Sequence, residues 1–148
     1  MRIRIIVSRA AQVSVEELCC QEVSVVNQIF LYLGAFFTFV WGVAHLFPTK
    51  SVVQGFGEIS QDNKRIIAME WIVEGVSLIF IGLLVAAVTL VDRGSTASRV
   101  VYWVCFAELN VLSLISLFTG FRVVFLPFKL CPLIFTGSSV LIILGSLL

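Results

Sequence analysis

The 148 residues are 59% hydrophobic and 13% charged, with a formal net charge of +1, and their mean hydropathy is +1.08. A soluble domain is roughly 45–50% apolar and about a quarter charged, so a soluble globular fold is excluded. So near-neutral a chain also lacks the basic field that would imply nucleic acid as a partner.

The four cysteines, Cys19, Cys20, Cys105 and Cys131, include no C-x-x-C spacing. That removes the redox and zinc-knuckle motifs and leaves the cysteines as apolar fillers. Crossing a hydrocarbon core of about 30 Å takes about twenty apolar residues, and four such runs occur, at 28–47, 66–91, 98–119 and 126–148. They predict an all-α fold, a four-helix transmembrane bundle in antiparallel up-down order. A long loop joins the first two helices, and residues 28–148 form one four-span domain.

Residues 1–27 read as an N-terminal extension, either disordered or an interfacial helix opened by the capping-box pattern Ser14-Val15-Glu16-Glu17. They do not read as a signal peptide, because no uninterrupted apolar stretch follows Arg2, Arg4 and Arg9 before Glu16. The first span ends at Pro48, which cannot continue a helix without disruption. Trp41 and His45 lie one turn apart near that end, and Gly34 and Gly42 allow a neighbouring helix to approach closely.

Residues 49–65 make the longest connection. Val52, Val53, Phe56 and Ile59 among Gly55 and Gly57 suggest a segment lying in the headgroup layer or folding back as a lid, and long loops are disproportionately functional. In the second span Glu70, Glu74 and Ser77 share one face at helical spacing, and Gly82-x-x-x-Ala86 offers a small-residue contact. Asp92-Arg93-Gly94-Ser95 forms a short turn to the third span.

Glu108 stands near the middle of that span, on the face of Cys105, Leu112 and Thr119, while Asn110 points to the other side as an interhelical hydrogen-bond residue. The fourth span follows Gly120-Phe121-Arg122. Pro127 and Pro132 shape its entry, and Thr136-Gly137-Ser138-Ser139 lies inside it. Tyr32, Tyr102 and Trp103 mark one aromatic belt, and Trp71, Phe118, Phe121 and Phe125 the other. Lys50, Lys64, Arg65, Arg122 and Lys129 bias the first and third loops of this multi-pass integral membrane protein to the cytoplasm.

A charged side chain at bilayer depth costs at least about 2.5 kcal/mol and marks a functional site. Measured from the shared membrane face at about 1.5 Å per residue, His45 lies about 3 Å deep, Glu70 about 6 Å, Glu74 about 12 Å and Glu108 about 16 Å. With Trp41 and Trp71 they predict one polar pocket roofed by the 49–65 loop, and Arg65 and Arg122 are its counter-charges.

Three chemistries compete for that pocket. His45, Glu70, Glu74 and Glu108 are a ligand set for a divalent metal, although no Glu-x-x-His pair occurs and the chain has a single histidine. The second is a proton-linked or substrate-binding pocket, where desolvation favours a neutral carboxylic acid and His45 relays protons. The third has every polar side chain satisfied locally, with Glu70 reaching outward to Lys64 and Arg65.

The expected function is to bind, and in the fuller form to transport, a small molecule or cation within the lipid bilayer, with homo-oligomer formation expected of so small a transporter. A membrane-embedded enzyme acting on a lipid-soluble substrate and a structural or accessory membrane subunit are the alternatives. Nucleophilic catalysis has no support, since no G-x-S-x-G occurs.

Overall fold

The computed structural model of the chain describes residues 25–120, 123 and 126–148. The predicted extension therefore lies outside the described residues except for residues 25–27, which are already helical. The architecture is all-helical, with no strand among the described residues: α1 (Val25–Leu46), α2 (Thr49–Gly55), α3 (Gln61–Asp92), α4 (Thr96–Ile115) and α5 (Leu126–Leu147). One π-helical turn, Ser116–Gly120, continues α4. Four of the helical stretches, Val25–Leu46, Gln61–Asp92, Thr96–Gly120 and Phe128–Leu147, are long and apolar enough to cross a membrane.

Local chemistry explains where the helices begin. α3 starts five residues before the apolar run because Ser60 caps it, its Oγ accepting the Asn63 backbone N–H at 3.2 Å. Asp62 in the first turn complements the helix dipole. With α2 occupying Thr49–Gly55, the expected long loop shrinks to residues 56–60, where Gly57 at φ 71° supplies the turn. At the other end, Gly94 N–H donates to Asp92 Oδ1 at 3.0 Å, and Ser95 Oγ caps α4 by accepting the Ser98 N–H at 3.1 Å.

Lipid tails are as apolar as leucine, so burial alone does not bring membrane helices together, and close packing has to. Glycines supply it. A Cβ on Gly42 would stand 2.7 Å from the Gly75 carbonyl oxygen, and one on Gly82 would stand 2.7 Å from that of Ala35. These contacts set α1 against α3 in opposite directions. Gly34 and Gly145 do the same between α1 and α5, against Ser138 and Ile142 in one case and Asn27 and Leu31 in the other. The core between the helices holds Leu31, Leu78, Val85, Leu109, Phe135 and Ile142, with the free thiols of Cys105 and Cys131 as fillers.

Two expectations about polar residues change. Tyr102 is not a belt aromatic: it is buried, and its hydroxyl pairs with Thr89 Oγ1 at 2.9 Å, joining α3 to α4. Asn110 bonds within its own helix among the described residues, its Nδ2 donating to the Phe106 carbonyl at 2.7 Å. The α4–α5 bond is made instead by Ser113, whose Oγ donates to the Pro132 carbonyl at 3.1 Å and pairs with Thr136 Oγ1 at 2.8 Å.

Register decides where the acidic residues fall. α1, with 22 residues, is about 33 Å long, close to the thickness of a hydrocarbon core. α3, with 32 residues, is about 48 Å long. Gly75 packs on His45 and Leu46, the last turn of α1, so the fourteen residues before it, about 21 Å of helix, project past that end. α2 lies against this projection.

Candidate functional site

At this end of the bundle α3 and α4 part to form a groove of about 620 Å³. Its floor is His45 of α1 with Phe128 and Cys131 of α5, and Val52 and Phe56 close it on the α2 side. Glu70, Trp71, Glu74 and Ser77 line the α3 wall, and Glu108, Leu112, Ser116 and Thr119 the α4 wall. A volume between about 300 and 1,000 Å³ is usual for small-molecule sites.

His45 is the fixed point. Only 3% of its surface is exposed. Its ring stacks on the Trp71 indole with centroids 4.3 Å apart and planes 18° apart. Trp41 meets it edge-on at 6.1 Å, and Phe128 packs edge-on to Trp71 at 5.2 Å. The Trp71 indole N–H donates to the backbone carbonyl of His45, which ties α3 to the last turn of α1. Stacked and edge-on aromatic pairs each contribute about 0.5–1.5 kcal/mol beyond area burial, so the imidazole is held in one orientation.

Within that setting His45 Nε2 is buried and has no hydrogen-bond partner. Glu74 Oε2 lies 3.5 Å away, an ion-pair distance rather than a made hydrogen bond. An unsatisfied buried polar atom costs about 1–3 kcal/mol. Glu74 itself is one-third exposed, on the groove side. Trp41 Nε1 is also buried with no hydrogen-bond partner among the described residues.

The structure thus brings His45, Glu70, Trp71, Glu74 and Glu108 to one groove, and it places Trp41 behind His45 rather than on the lining. They do not form a compact cluster. From the Thr89–Tyr102 pair, Glu74 is fifteen residues along α3 and Glu108 six along α4, about 22 Å and about 9 Å in the same direction. The two carboxylates therefore stand about 13 Å apart along the axis, Glu108 at the inner end of the groove and Glu74 at its mouth. The expected depths of about 12 Å for Glu74 and about 16 Å for Glu108 followed from starting the ruler at Ile66; the projection of α3 past α1 overturns that assumption.

This spacing also counts against the divalent-metal reading. Among the described residues no group of three His, Cys, Asp or Glu side chains converges to hold a metal ion, and His45 and Glu74 are the one close pair of the expected four. The counter-charges differ from expectation as well. Arg65 turns to Asp62 at 3.6 Å on the exposed first turn of α3, because i,i+3 partners on a helix are nearer than a groove two turns away. Arg122 lies outside the described residues.

Among the described residues the groove lining carries three carboxylates and one imidazole and no lysine or arginine. Phe128, Cys131 and, on the π turn, Ser116 and Gly120 also line the groove and were not among the expected site residues. Pro127 and Pro132 signalled a shaped entry to α5, but only tertiary packing shows that the entry is the groove floor. Single π turns inside α-helices are frequent at functional sites. Compared with known protein families, curated proteins and solved structures, the chain matches none.

Proposed function

We propose that the protein is an integral membrane protein whose groove between α3 and α4 binds a small molecule or cation. The observation that carries this reading is the buried, unpartnered His45 Nε2 facing Glu74 across the groove floor. Polar atoms in packed interiors are almost always satisfied, and a ligand reaching between the imidazole and the carboxylate would supply the missing bond. The largely apolar walls give such a ligand surface to bury.

Native mass spectrometry of the protein released from nanodiscs tests the reading. A small molecule is expected to co-purify with the wild-type chain and to be lost or strongly reduced in Glu74→Gln. Identical spectra for the two proteins would overturn it.

One observation favours a second reading. A buried imidazole beside a half-open carboxylate is also a usable acid–base couple, so a membrane-embedded enzyme acting on a lipid-soluble substrate follows from the same pair. Chemical change of the co-purified molecule over time, rather than its simple release, distinguishes that reading.

A further inference from the structure

The groove's own chemistry narrows the class of ligand. Among the described residues its lining holds Glu70, Glu74 and Glu108 and no lysine or arginine; on α3, Arg65 is engaged with Asp62. An anion would meet three carboxylates there, and a neutral apolar molecule would leave the buried His45 Nε2 beside Glu74 without a donor. A bare metal ion fares no better, because the carboxylates are spread along the groove and only Glu74 has a nitrogen ligand beside it. Between the two ends the α4 wall is apolar, with Leu112 and Ile115 on it, and the α3 wall carries the small hydroxyl of Ser77.

We infer that the ligand is an elongated amphipathic organic ammonium, its charged nitrogen seated between Glu74 and His45 and its apolar body lying along α3 and α4 toward Glu108. This rests on the reading of the groove as a ligand site and names what the site selects. An ammonium N–H donates to the Glu74 carboxylate in a charge-assisted hydrogen bond. A second N–H fills the vacancy at His45 Nε2, which in a neutral ring tautomer is an acceptor. Stacking against Trp71 keeps the imidazole aimed at that point. The apolar body replaces lipid or water against the groove walls.

Equilibrium binding to the full chain in phosphatidylcholine nanodiscs, corrected for empty discs, tests this with three probes of equal length: octylammonium, octanol and octanoate. Octylammonium is expected to bind saturably and to be weakened about tenfold or more by Glu74→Gln. Glu58→Gln, on the exposed segment between α2 and α3 and outside the groove, is expected to leave it unchanged. Octanol binding as tightly as octylammonium, or octanoate binding more tightly, overturns the ammonium assignment while the groove remains a ligand site. Magnesium displacing octylammonium at equimolar concentration overturns it in favour of an inorganic ion. Failure of all three probes to bind above empty discs removes the groove reading itself. If Glu74→Gln does not fold, displacement of octylammonium by octanol on the wild-type protein decides the same question.

Discussion

Trp71 does two things at once: its indole N–H bonds the His45 carbonyl, and its face supports the His45 ring. Trp71→Phe keeps a ring for stacking but removes the donor, so thermal unfolding is expected to show a loss of about 1 kcal/mol. Ligand affinity should fall in the same variant, because the imidazole loses its fixed aim. Glu70 contrasts with this. It is exposed at the groove mouth with no partner in its own helix turn, and Glu70→Gln is expected to change stability by no more than about 0.5 kcal/mol. A larger loss in the same melt would show that Glu70 is structural. The shared helix face of Glu70, Glu74 and Ser77 was legible from spacing alone, since helical periodicity fixes it. The stacking of His45 on Trp71 was not, because it depends on where two separate helices stop relative to each other.

Helix contacts turn on small residues and a few hydroxyls. In Gly42→Val the new side chain would press on the Gly75 backbone, which cannot move out of the way without parting α1 from α3. A loss of about 1–3 kcal/mol in detergent-induced unfolding is expected. Gly137 has open space around it, and Gly137→Ala is expected to be neutral or stabilising by up to about 1 kcal/mol through helix propensity. If the two substitutions behave alike, the close α1–α3 contact is wrong. Tyr102→Phe removes the bond to Thr89 and should cost about 0.6 kcal/mol, with about 1.7 kcal/mol as the upper end for such bonds in a membrane protein. Gly34, Gly42 and Gly82 were readable as contact points because glycine in an apolar helix has few other uses. Their partners were not readable, and neither was the start of α3 at Gln61, which Ser60 sets from within a stretch that looks like loop.

For the whole chain, apolar composition and run length were enough to define four helices long and apolar enough to cross a membrane, because the thickness of a bilayer admits so few alternatives. An alkaline carbonate wash is expected to leave the protein in the membrane pellet; release into the supernatant would contradict four crossings. The relative heights of those helices were hidden, since hydropathy measures length and not register. That hidden quantity moved Glu74 from the interior to the end of the bundle. The overhang of α3 beyond α1 has a consequence for the surrounding lipid. A bilayer matched to α1 covers a different part of α3 from one a few ångströms thicker, and the cost of mismatch is a fraction of a kcal/mol per Å. Thicker leaflets would draw acyl chains up over the Glu74 opening, and thinner ones would leave it bathed in water. Ammonium affinity is therefore expected to change stepwise when the host phospholipid is varied from fourteen-carbon to twenty-two-carbon chains, making membrane thickness itself a control on access.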